Sequence, residues 1–382
     1  MKLSIGFVLA GLLAFVHAAP LTHSEIQQKA SQGLRLLSLA EAEEPVWRTE
    51  DQRLQLIRAG TTFIDVTETY ELEKEIAAKG DSFTSSSLMP SYPAPSRQAQ
   101  VTPLLARLST SKMTGYLSSL TAYNNRYYTS STGSAASVYI QNTIRSIASA
   151  AGRSDITVSA FSHSWAQTST IVKFASTSTG PITVLGGHMD SINSASGSPS
   201  SARAPGADDD GTGTVNLMNI IEVLATSGFK PSTPLEFHFY AAEEVGLLGS
   251  NAIAVNYKNA GKQIKAFMQL DMTGYFRPGS TEVIALQADY IDSGLNTFVR
   301  QLASSYSRLP VTMDVPCNYA CSDHASWYRQ GYPTTFPFEA VTGNDDPSIH
   351  TSGDTTSVSG FSWSHSLEFA KVGLGFAVEL SA

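Results

Sequence analysis

The chain is short of cysteine, of charge and of long apolar runs, and each shortage closes off a class of protein. Two cysteines, Cys317 and Cys321, stand among 382 residues, too few for a disulfide-rich scaffold or a four-thiolate zinc knuckle. Charged side chains make up 15% of the chain, 33 acidic against 25 basic. Lys and Arg nowhere cluster with interleaved aromatics, so no nucleic-acid partner is expected. No Asn-x-Ser/Thr triplet occurs, so N-glycosylation is not expected either. The one extended apolar run, Leu3 to Val16, is too short to span a bilayer comfortably, and no later stretch offers a membrane anchor.

That run follows Met1-Lys2 and precedes His17-Ala18-Ala19, the layout of a secretory signal over residues 1–18. A secreted, extracellular protein is therefore expected. Cys317 and Cys321 should oxidise in that setting. A redox pair or half of a zinc knuckle is less favoured, because no second cysteine pair exists to complete a knuckle. The loop between them is so short that its closure adds little entropic stability, and its expected use is to hold Tyr319 in place.

Composition changes near residue 90. From about residue 20 to 80, Glu, Lys, Arg and Gln surround Leu34, Leu37, Leu54, Leu56 and Ile57, which reads as short amphipathic helices. A Ser/Pro-rich stretch from Asp81 to Arg97 follows and should be open to proteases. Residues 19–90 are expected to be a helical propeptide and processing linker, the propeptide serving as inhibitor or folding aid; a permanent N-terminal domain is the alternative. Residues 91–382 then form the main domain.

In that domain strand and helix patterns alternate, pointing to an α/β fold with a mostly parallel mixed sheet covered by helices on both faces. Strands are expected over Thr170–Ala175, Ile182–Leu185, Leu235–Ala241, Ala266–Leu270 and Val283–Leu286. Helices are expected around Ile140, Ile144 and Ile147, around Leu217, Ile220, Ile221 and Leu224, and from Phe361 to Leu380.

Chemistry-bearing residues sit at the ends of these strands. Gly-Gly-His188-Met-Asp190 closes one, where the imidazole can reach the carboxyl edge of the sheet and Asp190 can fix its tautomer. Asp208-Asp209-Asp210 lies between glycines; three adjacent carboxylates repel one another, and a divalent cation is the simplest compensation. Glu243-Glu244 ends an apolar strand, so one carboxylate can hold an ion while its neighbour faces the attacking water. Asp271, closing the strand that ends Gln-Leu, and His350, in a polar loop, complete an oxygen and nitrogen ligand set that zinc accepts.

These segments, with Cys317-Asn-Tyr-Ala-Cys321-Ser-Asp-His-Ala-Ser-Trp, resemble those of the M28 zinc metallopeptidases, especially the secreted fungal and bacterial leucyl aminopeptidases, over roughly residues 98–382. The resemblance implies two zinc ions bridged by Asp209, with Glu244 and His350 completing one site and His188 and Asp271 the other. It implies Glu243 as general base, Asp190 as the partner of His188, a cis peptide after Asp209, and an oxyanion contact from the Tyr319 hydroxyl. It also implies an apolar pocket of Met272, Phe336, Phe338 and Ile349 for a leucine-like side chain. The expected function is removal of N-terminal residues from peptides or proteins by a monomer. A related di-zinc carboxypeptidase would need a basic residue for the substrate carboxylate, and none lies in these segments. A non-catalytic domain on the same fold could dispense with the ligands, all of which are present. His324, His238, His163 and His365 carry no metal motif and are expected to be structural.

Overall fold

The computed structural model describes residues 21–39, 44–78 and 92–382; the expected signal and the greater part of the expected processing linker lie outside them. The N-terminal segment holds α1 (His23–Ser31), β1 (Leu34–Ser38), β2 (Val46–Thr49), α2 (Glu50–Arg58), β3 (Ile64–Asp65) and α3 (Tyr70–Ala78). Thr22 with Glu25, and Thr49 with Gln52, form reciprocal capping boxes that start α1 and α2. The segment is not helical throughout, because β2, β1 and β3 pair antiparallel in that order. Strands of two to five residues are too short for their period to stand out from the helical pattern around them.

The main domain runs through α4 (Gln98–Leu105), α5 (Thr110–Thr121), α6 (Ser131–Ala150), β4 (Ile156–Phe161), β5 (Ser169–Phe174), β6 (Ile182–His188), α7 (Gly211–Thr226), β7 (Leu235–Tyr240), α8 (Leu248–Asn259) and β8 (Ile264–Gln269). It continues with β9 (Ile284–Leu286), α9 (Ser293–Tyr306), β10 (Val311–Met313), α10 (His324–Arg329), β11 (Thr334–Thr335), β12 (Pro337–Phe338) and α11 (Trp363–Ser381). The central sheet has the order β11-β8-β6-β7-β5-β4. Its first four strands are parallel, and β5 and β4 are antiparallel additions. Strand β9, expected beside the others, belongs to a separate three-stranded sheet with β10 and β12.

Alternation along the strands divides the core between two faces. In β6, Val184 joins Tyr240, Phe267 and Trp327 on the face covered by α8 and α10. Leu185, next in sequence, joins Phe237, Met268 and the apolar sides of α7 and α11 on the other. Strand β6 is buried along its whole length, as a central parallel strand between two helical layers must be. Its carboxyl end, and those of β7 and β8, open at one edge of the sheet, where such folds bind ligands. No helix among the described residues is long and apolar enough to cross a membrane.

Candidate metal centre

His188 is the last residue of β6, and Glu243 and Glu244 follow β7 by a few residues, as Asp271 follows β8. Asp209 precedes α7 in a loop whose Asp209–Asp210 peptide is cis. His350 comes from the long segment before α11, with φ of 57°. The backbone at Gly187 passes so close to its neighbours that a Cβ there would lie 2.7 Å from the Leu270 carbonyl and 2.9 Å from Asp210 Oδ2. That explains the glycine before the histidine.

The two oxygens of Asp209 face different imidazoles. His188 Nε2 lies 3.0 Å from Asp209 Oδ1 and 3.5 Å from Asp271 Oδ1. His350 Nε2 lies 3.0 Å from Asp209 Oδ2 and 3.0 Å from Glu244 Oε2. Such spacings suit neighbouring ligands of one ion, whose bonds to nitrogen or oxygen run about 2.0–2.2 Å. Asp271 Oδ1 is buried with no hydrogen-bond partner, an arrangement that costs free energy unless a cation or donor meets it. The donor set therefore fits a divalent cation such as zinc: single ligand atoms of His188, Asp209 and Glu244 lie within 4.8 Å of one another, as do those of His188, Asp210 and Asp271. Burial alone would strip His188 of its proton, but the facing carboxylates of Asp271 and Glu243 outweigh it and hold the imidazole well above its ordinary value.

Around these groups lies a scaffold of carboxylates with other duties. Asp190 accepts the amide hydrogens of Glu243 at 3.0 Å and Glu244 at 3.2 Å, and stands 3.5 Å from His188 Nδ1. Asp210 is fully engaged by backbone amides, taking those of His188 at 3.0 Å, Gly213 at 2.9 Å and Met272 at 3.2 Å. Asp354 accepts the amides of Asp208 and Asp209 at 2.8 and 3.2 Å. Ser322 donates to the second oxygen of Asp271 at 2.5 Å. Glu243 Oε2 lies 3.9 Å from His188 Nε2, and burial raises its carboxyl well above the ordinary range.

A cavity of about 320 Å³ opens over this centre. Met272, Phe336, Phe338 and Ile349 form one apolar cluster on its wall. Cys317 and Cys321 are joined in a disulfide, and Tyr319 between them lines the cavity with 40% of its surface exposed. Every residue expected at the site from sequence is thus brought to one place. Asp354, Asp210 as an amide acceptor, and Ser322 were not foreseen. Asp354 sits in Ser-Gly-Asp-Thr-Thr, a string with no distinguishing pattern. Ile57, Gly60, Thr61, Thr62 and Phe63 of the N-terminal segment also line the cavity.

The histidines set aside are held elsewhere. His238 bonds Tyr240 and Glu236 at 3.2 and 3.0 Å. His163 contacts Ser169 Oγ at 2.7 Å and stacks on Trp165. His365 reaches the Glu339 carbonyl and Glu282. His324 is buried against Phe336.

A site of this composition at the carboxyl edge of a largely parallel sheet defines a metal-dependent hydrolase. A profile of peptidase family M28 matches residues 169–376. The chain is 38% identical over 344 residues to a probable leucine aminopeptidase of Arthroderma otae, covering 88% of each chain. It is 37% identical over 365 residues to leucine aminopeptidase 1 of Grosmannia clavigera, covering 93% of this chain and 86% of that one. Among solved structures, LapB of Legionella pneumophila superposes with a TM-score of 0.78 at 30% identity, over 93% of this chain and 96% of that one. The LapA aminopeptidase of the same organism gives 0.79 at 27% identity, with the same coverage. The chain belongs to peptidase family M28. By class it is a zinc-dependent aminopeptidase.

Proposed function

We propose that the protein is a secreted di-zinc aminopeptidase that removes N-terminal residues, preferably leucine or other apolar residues, from peptides. The observation that carries this reading is the position of Asp209, whose two oxygens each lie 3.0 Å from a different imidazole. One carboxylate so placed can serve two ions. Bound zinc supplies Lewis acidity, polarising the scissile carbonyl and making a water acidic near neutral pH.

The chain's own groups supply the rest. Glu243 faces the cavity, its amide pinned by Asp190, and takes the proton of the attacking water, then delivers it to the leaving amine. The Tyr319 hydroxyl donates to the developing oxyanion. The cluster of Met272, Phe336, Phe338 and Ile349 excludes water around the first side chain of the substrate. Among the described residues no Lys or Arg lines the cavity, whereas Asp209, Glu243, Glu244, Asp271 and Asp345 do. That balance suits a substrate ammonium and disfavours a carboxypeptidase.

The test is hydrolysis of leucine p-nitroanilide and its N-acetylated form by processed protein, with chelator and with zinc restored. Cleavage of the free-amine substrate alone, lost with chelator and recovered with zinc, is the expected result. No cleavage by zinc-loaded protein, or cleavage of the blocked substrate, refutes it.

The same reading makes the N-terminal segment a propeptide over the site. The turn from Gly60 to Phe63 occupies the cavity wall, and the Asp65 amide donates to the Gly246 carbonyl at 2.9 Å, two residues beyond Glu244. Substrate would meet this turn at the mouth of the cavity. Cleavage between Leu88 and Gln98 is expected to raise specific activity; equal activity before and after cleavage rejects an inhibitory role.

A further inference from the structure

Behind the metal centre lies one cation for which the chemistry so far has no use. Arg126, in the loop before α6, is 1% exposed, and burying a guanidinium is costly unless its donors are met. All of its acceptors there are neutral carbonyls. Nε donates to the Met189 carbonyl at 2.6 Å, Nη2 donates to the Gly206 carbonyl at 2.8 Å, and Nη1 donates to the Pro205 carbonyl. Its own amide donates to Ser191 Oγ at 3.0 Å, and that hydroxyl donates to the Ala204 carbonyl at 2.9 Å.

These acceptors belong to two different segments. Met189 and Ser191 alternate with His188 and Asp190 at the end of β6, whereas Ala204, Pro205 and Gly206 lead directly into Asp208-Asp209-Asp210. The fit between them is close: Gly206 has φ of +54°, and a Cβ there would lie 2.7 Å from Arg126 Nη2 and 2.5 Å from Ser191 Cβ. Only glycine lets the loop approach the guanidinium so nearly. Gln167 in turn holds the Arg126 carbonyl at 3.0 Å, so the arginine is itself anchored.

We propose that Arg126 is a positioning residue that sets the separation of His188 and Asp209 by tying the end of β6 to the loop carrying the bridging carboxylate. This rests on the metal-centre reading above. A planar fork with three donors in fixed directions can cross-link three carbonyls, whereas a lysine ammonium on a flexible stem cannot hold the same spacing. Groups outside the ligand shell commonly set metal affinity in this way.

The experiment uses the full chain and its Arg126→Lys and Arg126→Gln variants, stripped and then titrated with zinc against a chromophoric chelator. The absorption spectrum of the cobalt-substituted proteins and the thermal midpoint of each metal-free form are recorded alongside. The expected result is zinc affinity weaker by about 10- to 100-fold in both variants, with an altered cobalt spectrum in Arg126→Lys although its charge is kept. Two results overturn the proposal: wild-type zinc affinity and cobalt spectrum in a folded Arg126→Lys, whatever its thermal midpoint, or tighter zinc binding in Arg126→Gln, which would mean that the arginine acts only as a repelling charge. Should the arginine variants fail to fold, Ser191→Ala, which removes one hydroxyl of the same tie, decides the matter. Weaker zinc binding supports the tie, and unchanged binding overturns it. If the wild-type chain itself takes up no zinc, the metal-centre reading fails rather than the role of Arg126.

Discussion

Replacing Asp190 with Asn tests the claim that the carboxylate behind His188 organises both metal-side glutamates. Its two oxygens accept the backbone amides of Glu243 and Glu244 at 3.0 and 3.2 Å, and one stands 3.5 Å from His188 Nδ1. An amide of the same shape keeps one acceptor and turns two N–H donors toward the other backbone N–H. One hydrogen bond to a charged group, about 1.5–3 kcal/mol, is lost, and a buried N–H without a partner costs about 1–3 kcal/mol more. Local rearrangement recovers part of the sum, leaving a penalty of about 3 kcal/mol on the aligned arrangement, or about 100-fold in rate. The assay is kcat/KM on leucine p-nitroanilide for zinc-saturated wild type and Asp190→Asn, with circular dichroism to establish that the variant is folded. A folded variant within about threefold of wild type would refute the account of Asp190 as the common anchor.

Other outcomes follow from the same geometry. Glu243→Gln should retain zinc but lose nearly all turnover, since the amide cannot accept the water's proton; substantial activity in a fully metallated sample would remove Glu243 from that role. His163 is held down to about 4 by burial, so below its ordinary value of about 6.5 the unfolded chain takes up a proton that the folded chain refuses. The stability tied to it is complete above pH 6.5 and erodes as pH falls toward 4. His163→Gln should therefore show a smaller fall in thermal midpoint between pH 7.5 and pH 5 than wild type, and an equal fall would refute this.

The sequence disclosed the site more fully than it did the segment covering it, for a physical reason. Candidate ligands at strand ends carry local signatures, because a buried strand is an apolar run and a carboxylate or imidazole at its end interrupts that run visibly. His188, Glu244 and Asp271 all stand in that relation to β6, β7 and β8. The outer contacts have no such signature. Asp354 reaches the amides of Asp208 and Asp209 across 146 and 145 residues, and Ser322 reaches Asp271 across 51. Arg126 bonds carbonyls, which every residue possesses, so no residue type marks its partners. Strands β1 to β3 escape because at two to five residues their period does not stand out, although the segment they build docks on the main domain at Leu247 and Ala325.

That docking permits one more test, which separates inhibition by the N-terminal segment from mere attachment. Arg53 of α2 is fully buried, between its own segment and the main domain, and lies 3.2 Å from Asp65 Oδ2. It donates to the Tyr128 hydroxyl at 2.7 Å and the Val245 carbonyl at 3.4 Å across the junction. While the segment is docked, water cannot reach this guanidinium and Asp65 and Glu50 share its neutralisation; once undocked, water can. Asp65→Asn also weakens the pair with Arg35 at 2.6 Å inside the segment, and it raises the free energy of the docked state through Arg53. Removing one member of a buried ion pair costs about 3–5 kcal/mol, and the lower end applies because Glu50 remains beside Arg53 at 2.5 Å. About 3 kcal/mol is about 100-fold in the ratio of open to closed chains. The uncleaved Asp65→Asn chain should therefore hydrolyse leucine p-nitroanilide faster than uncleaved wild type, while the cleaved forms match. If both uncleaved chains are equally slow and both cleaved forms equally fast, loosening this contact does not open the site, and the turn from Gly60 to Phe63 must hold without help from Arg53 and Asp65.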